Sequence, residues 1–202
     1  MNNDKEKILK TAGDVFFAKG FYKIPVDDIA SLLKMSKKTI YKHFATKEDL
    51  VREVAHLFIK THSTNISNII ISEYNAVEKL FYIFKYLGDM LININEKWFS
   101  DIQTRAPEIW TEIEVFRSRF MTQNISKIIE QGKKEKYIVN YSSLIMINIF
   151  ISSIRGIINP AFIVNNKIPA FKALKSTLDI LMNGILTVKG KNLLKKLKME
   201  KV

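Results

Sequence analysis

Apolar residues recur at intervals of three and four along most of the chain, and no strand-length run alternates apolar and polar positions between turn signals. The pattern therefore predicts helices throughout and no sheet, an all-α protein. Ile8, Ala12, Val15 and Phe16 share one face of a first helix expected over about residues 4–19, which Gly20 ends as a left-handed stop before Phe21 packs back. A short second helix begins near Val26 and ends by about Leu33, with Pro25 in its first turn and Asp27 and Asp28 favouring the positive end of its dipole. Ser36 is placed to cap a third helix over residues 37–44, and Thr46 with Asp49 forms a capping-box pattern for a fourth that reaches about Asn65. Farther on, apolar segments cover about residues 77–92, 108–131, 141–158 and 169–188, separated by Pro107, Gly132, Asn159-Pro160 and Asn165-Asn166.

The spacing of the second and third helices is that of a helix-turn-helix. Ile29, Ala30 and Leu33 face inward from one helix, Met35 plugs the turn, and Ile40 and Phe44 anchor the next. These anchors turn Lys38, Thr39, Lys42 and His43 outward and leave Lys37 at the exposed N-terminal end, the part of such a helix that enters a major groove.

Composition adds a partner to this frame. The 202 residues carry 32 Lys plus Arg against 20 Asp plus Glu, a formal charge of +12, and 47% are hydrophobic, enough for a folded core. The charge is uneven: +4 over residues 1–52, −2 over 53–125, +5 over 126–188 and +5 over the last fourteen. Lys34, Lys37, Lys38, Lys42 and Lys47 form an acid-free run interleaved with Ser36, Thr39, Tyr41 and His43, a footprint for phosphate. A lysine run alone reads as a solvated face; the helix-turn-helix beneath it makes DNA the better reading.

Other chemistries lack residues to stand on. The chain has no cysteine, which removes disulfide scaffolds, thiolate metal sites and cysteine nucleophiles. It has no Gly-rich phosphate loop, nucleophile elbow or His-x-x-x-His pair, and His43, His56 and His62 have no acid cluster beside them, so no metal, cofactor or catalytic residue is assigned. A helical hydrolase built on scattered carboxylates is the enzymatic alternative. The first fifteen residues lack the apolar core of a signal peptide, and residues 142–158 are broken by Asn148 and Arg155, so a cytoplasmic protein is expected.

Ile8-Leu9, Ala12, Phe16, Gly20-Phe21, Val26, Ile29-Ala30, Met35-Ser36, Thr39-Ile40-Tyr41, Phe44, Thr46-Lys47-Glu48 and Leu50 match, in order and spacing, the TetR family of bacterial transcriptional regulators, which residues 5–54 resemble. The resemblance implies an N-terminal DNA-binding domain, a helical ligand-binding domain and a homodimer whose two recognition helices read a palindromic operator. It implies that Ser36 caps the recognition helix, that Lys37 and Lys38 approach base edges, and that Thr39, Tyr41, His43 and Lys47 hold phosphates, with Lys42 among the outward donors. Lysine donors suit guanine O6 and N7, and hydroxyl or imidazole donors suit phosphate oxygens. Two positions depart from the family pattern: Pro25 replaces a common capping threonine, and Lys34 replaces a common glycine in the turn, where a left-handed conformation costs about 1 kcal/mol.

Three regions are expected: a DNA-binding domain over residues 1–47, a ligand-binding and dimerisation domain over 48–188, and a basic tail over 189–202. An aromatic stripe at helical spacing is usually core, yet the resemblance implies a cavity for a small hydrophobic effector, with Phe81, Phe84, Trp98, Arg105, Trp110, Phe116 and Phe120 as candidate lining. The last two apolar segments resemble the family's dimerising pair; Ile145, Ile149, Ser152 and Gly156, with Leu174, Leu178, Leu181 and Ile185, are the expected faces. The tail has leucines at helical spacing and reads as a helical extension, with contact to a membrane or flanking DNA the less favoured uses. The expected function is a homodimeric repressor that its effector releases, the fourth helix serving as the lever. The alternative is DNA binding without effector control, with the C-terminal helices as a scaffold.

Overall fold

A computed structural model describes residues 2–200. Among the described residues the chain forms eleven helices: α1 (Asn2–Lys19), α2 (Val26–Leu33), α3 (Lys37–His43), α4 (Lys47–Ile71), α5 (Ala76–Ile92), α6 (Glu96–Arg105), α7 (Pro107–Lys134), α8 (Ser143–Ile157), α9 (Pro160–Asn166), α10 (Ala170–Ile185) and α11 (Val188–Glu200). The one departure from helix and loop is a single antiparallel bridge between Ile138 and Leu186. The chain divides into two compact units, residues 1–62 with 93–114, and residues 63–92 with 115–202, and α4 and α7 contribute to both.

The first unit is built on α1. Ile8, Ala12 and Phe16 are fully buried on one face of α1, which packs on α2; α2 packs in turn on α3, and Ile29, Ala30, Ile40 and Phe44 are buried as well. Gly20 has a φ of 76°, and Asp101 and Lys97 lie where a Cβ would go, so a side chain there meets both strain and collision. Phe21 then folds back, edge-on to Phe16 and to Trp98.

Trp98 is the piece that local pattern did not foresee. It stacks on Phe16 at 6.4 Å, meets Phe17 edge-on at 4.8 Å, and is buried. The backbone of the preceding turn is tied in as well, Asn95 N donating to the Phe17 carbonyl at 2.7 Å. α6 therefore belongs to the same unit as the helix-turn-helix, and the expected boundary after residue 47 is not where the contacts divide.

In the second unit α5 is the hub, packing on α10 and α11. Ala76, Val77, Leu80 and Ile83 on α5 share a core with Ile128 and Ile129 of α7, Phe150 of α8 and Met182 of α10. Asn75 and Glu78 close a capping box at the start of α5, and the Glu135 carboxylate accepts from Ala76 N at 2.8 Å. Lys79, although buried, reaches the Gln131 side-chain oxygen at 3.0 Å.

The expected basic tail is α11, a docked helix of this unit. Leu194 and Leu197 are buried in the shared core and Leu193 packs against it. Lys189 donates to the Glu135 carbonyl and lies 4.2 Å over the Tyr137 ring, and Lys198 pairs with Asp179 of α10 at 2.8 Å. The separate tail over 189–202 is thus corrected: apolar burial fixes its described residues to the second unit.

Two substitutions check these placements. Trp98→Ala should remove about 3–5 kcal/mol, the usual cost of truncating a buried aromatic, with the loss read in denaturant unfolding of the full chain. Leu197→Ala should cost about 2–4 kcal/mol by the same assay, whereas a dangling tail would tolerate it without change.

Candidate nucleic-acid interface and ligand pocket

The α2–α3 turn is set by backbone hydrogen bonds around a left-handed residue. Met35 N donates to the Ala30 carbonyl at 2.9 Å and Lys34 N to the Ser31 carbonyl at 3.1 Å, the paired bonds of a Schellman stop. Lys34 occupies the left-handed position with a φ of 54°, as the glycine-like place in the sequence predicted. Pro25 stands one residue earlier than its expected first-turn place: it is the extended cap residue of α2, with no side-chain hydrogen bond to the helix.

Ser36 caps α3, its Oγ accepting from Thr39 N at 3.1 Å and lying 2.8 Å from Thr39 Oγ1. Thr39 is thereby partly engaged at the helix start. At the next helix start, Thr46 N donates to the Asp49 carboxylate and Asp49 N to Thr46 Oγ1, at 2.9 and 3.0 Å, a reciprocal capping box as expected.

With Ile40 and Phe44 buried, α3 presents Lys38, Tyr41 and Lys42 to solvent, and His43 is half-buried beside Phe44. Lys37 is exposed but engaged: its ammonium donates to Asp27 of α2 at 2.7 Å, and that bond with the carboxylate charge holds its pKa above the usual lysine value. Lys47 is half-buried; Nζ donates to the Tyr22 carbonyl at 3.0 Å and lies 6.0 Å from the centre of the Phe21 ring. Burial pushes its pKa below the usual value. Tyr22 in turn is held from α6, its N–H donating to Asp101 at 2.9 Å and its ring covered by the Arg105 guanidinium at 4.3 Å.

The candidate effector residues do not converge on one place. Phe81 and Phe84, with Leu174, Leu178 and Met182, line a cavity of about 380 Å³ between α5, α10 and α11. Trp98 and Arg105 are corrected: both belong to the first unit, one as core and the other stacked on Tyr22, because the α6 face that carries them is closed by α1 and the loop after it. Trp110 is also a residue of the first unit. Phe116 and Phe120 stack on each other at 5.8 Å on α7, away from the lining of that cavity. Residues that sequence reasoning missed are Gly88 on α5 and Phe171 on α10, which line it too.

The proposed dimer faces split. Ile145, Ile149, Ser152 and Gly156 are exposed on α8, the two isoleucines by 60% and 50%. Leu174, Leu178, Leu181 and Ile185 are buried within the chain, so this half of the assignment is corrected: they pack toward α5 and α8 and cannot also form an outer face. The exposed apolar residue of α10 is Ile180, at 73%. Among the described residues no helix is long and apolar enough to cross a membrane, and no group of three or more His, Asp or Glu residues is arranged to hold a metal ion.

Comparison with known proteins fits this geometry. The model of the bacterial regulatory proteins of the tetR family matches residues 8–54, the stretch from α1 into α4. The uncharacterised HTH-type transcriptional regulator YvaF of Bacillus subtilis is 23% identical over 181 residues, covering 89% of this chain and 94% of its own. The HTH-type transcriptional regulator LuxR of Vibrio harveyi is 24% identical over 163 residues, covering 75% and 80%. Among solved structures, a Saccharomonospora viridis protein described as a transcriptional regulator, in complex with choline, superposes with a TM-score of 0.73 at 19% identity, covering 93% of this chain and 100% of that one. A TetR-family regulator of Agrobacterium tumefaciens gives 0.71 at 14% identity, covering 92% and 99%. The stretch that the family model matches is the one whose caps, anchors and left-handed turn build the helix-turn-helix, so residues 8–54 form a DNA-binding domain of the kind found in the TetR family of bacterial transcriptional regulators.

Proposed function

We propose that the protein is a homodimeric, cytoplasmic repressor that docks its two α3 helices in successive major grooves of a palindromic operator, roughly 34 Å apart, and leaves when a small hydrophobic effector binds. The observation that carries the reading is α3 itself, short, capped by Ser36, anchored underneath by Ile40 and Phe44, and bearing exposed Lys38 and Lys42. Lys37 and Lys38 read base edges from its N-terminal end. Thr39, Tyr41, Lys42, His43 and Lys47 serve the phosphates. For Lys37 this means exchanging Asp27 for a base; an exposed ion pair is weak, so the exchange is cheap.

Dimerisation is supported by the apolar face that α8 leaves to solvent, with Leu144 at 70% exposure beside Ile145 and Ile149, and by Ile180 of α10. Gly156 and Gly184 are exposed, and no neighbour lies within 4 Å of where their Cβ atoms would be, so two helix backbones can approach there. Effector control is supported by the cavity in the second unit and by the choline complex of the similar Saccharomonospora viridis protein. A ligand that prefers the conformer with wrongly spaced recognition helices weakens DNA binding by its differential affinity, and the coupling is reciprocal.

Binding to DNA from upstream of the protein's own gene, measured across a salt series, tests the core of this reading. Affinity should fall steeply with salt, and failure to prefer any palindrome over random duplex at low salt would sink it. Lys37→Ala should change base preference at one position per half-site, by about 1–3 kcal/mol, while Lys47→Ala should weaken every sequence alike and flatten the salt dependence by about one unit of slope. The double substitution Ile145→Glu with Ile149→Glu should give a folded monomer by sedimentation; an unchanged dimer mass would remove α8 from the interface.

A further inference from the structure

Gly88 lies in the middle of α5, where glycine costs a helix about 1 kcal/mol relative to alanine. A glycine inside a helix usually earns its place by letting another backbone or side chain come close. Here nothing lies within 4 Å of the position a Cβ would take. The space it leaves is the 380 Å³ cavity, which Gly88 lines with Phe84, Leu174 and Leu178. Such a volume is at the small end for bound organic ligands.

The charged groups around this cavity are not balanced. Asp179 and Lys198 pair with each other at 2.8 Å across α10 and α11. Asp89 is the other carboxylate of the lining and is itself engaged. Lys85 of α5 and Lys175 of α10 are exposed at the lining and make no ion pair or hydrogen bond among the described residues. An apolar floor with two uncommitted ammonium groups beside it selects a particular chemistry.

We propose that the cavity between α5, α10 and α11 binds an anionic amphiphile, an unbranched apolar chain lying over Gly88 with a carboxylate or phosphate head between Lys85 and Lys175. This deepens the effector reading by naming a ligand class and a place, and it rests on that reading only for the effect on DNA. The chain is held by the transfer of methylenes out of water, so affinity rises with chain length by about fourfold per buried methylene until the cavity is full. The head is held by charge-assisted hydrogen bonds, which sets it apart from an alcohol of equal length by about tenfold or more. α11 supplies one wall through Leu194, so the C-terminal helix is part of the site.

Calorimetric titration of the full-length protein without DNA tests the site, using octanoate, decanoate, decyl phosphate, decanol and decyltrimethylammonium below their aggregation concentrations. Decanoate or decyl phosphate should bind at least about tenfold tighter than decanol and the cation, the preferred head distinguishing a carboxylate from a phosphate ligand, and decanoate should exceed octanoate by about sixteenfold. Gly88→Leu should fill the space and abolish binding while melting no lower than the parent, since leucine favours a helix and its Cβ has nothing within 4 Å. Lys85→Glu with Lys175→Glu should reverse the preference toward decyltrimethylammonium. Absence of binding, indifference to the head group, or binding that survives Gly88→Leu each overturns the proposal. Adding operator DNA afterwards separates the two readings: decanoate that binds without releasing DNA leaves the site standing and removes its role as effector.

Discussion

A helix-turn-helix of 47 residues has too little interior to stand comfortably alone, and the contact that relieves this comes from residue 98. α2 and α3 are eight and seven residues long, and each has only a narrow apolar stripe to bury. Chains of this size expose a large share of their surface and sit near the limit of independent folding. Trp98 extends the interior by stacking on Phe16 and closing over Phe17 and Phe21, and the bond from Asn95 N to the Phe17 carbonyl fixes the approach of α6. The loop that α6 clasps, through Asp101 and Arg105 on Tyr22, is the same loop whose carbonyl holds Lys47. The position of Lys47 therefore depends on α6 through a single intervening residue.

What was legible in the sequence follows from the range of the forces concerned. Caps and stops are interactions between residues at most about five apart, and these are found as read: Gly20 left-handed, Lys34 left-handed, Ser36 on Thr39, Thr46 reciprocal with Asp49. Trp98 was not legible in that way, because its partners lie some eighty residues earlier and an aromatic residue on a short amphipathic helix fits a pocket wall and a core equally well. The dimer face failed on α10 for a different reason. Leu174, Leu178, Leu181 and Ile185 make the stronger stripe, and the stronger stripe goes to the chain's own core, leaving Ile180 on the opposite side. Periodicity identifies an apolar face; it does not say which of two neighbours covers it.

Two of the lysines proposed to meet DNA are already occupied within the chain. Lys37 is held by Asp27 and Lys47 by the Tyr22 carbonyl. The two restraints differ in kind. The Asp27 pair is solvent-exposed and brings a carboxylate close to where phosphates or bases must come, so it opposes any duplex that does not offer Lys37 a better acceptor. Lys47 is half-buried with a neutral partner, and its lowered pKa records the loss of water around the ammonium. A phosphate reaching it would restore the charge interaction that burial removes, whatever the sequence of the DNA. One lysine thus suits discrimination and the other suits general affinity, and the difference arises from local surroundings instead of from residue type.

The basic C-terminus gains its explanation from packing before charge. Leu193, Leu194 and Leu197 make α11 amphipathic, and once they are seated against α5 the lysines between them have only the solvent side and the helix edges to occupy. Lys198 at one edge is neutralised by Asp179, and Lys189 is spent on the Glu135 carbonyl and the Tyr137 ring. The +5 of the last fourteen residues is therefore partly consumed within the second unit. The uncommitted ammonium groups that matter lie elsewhere, on α5 and α10, where Lys85 and Lys175 face a cavity that α11 helps to wall. An excess of lysine spread along a sequence becomes selective only where folding gathers a few of them around a space that something else can fill.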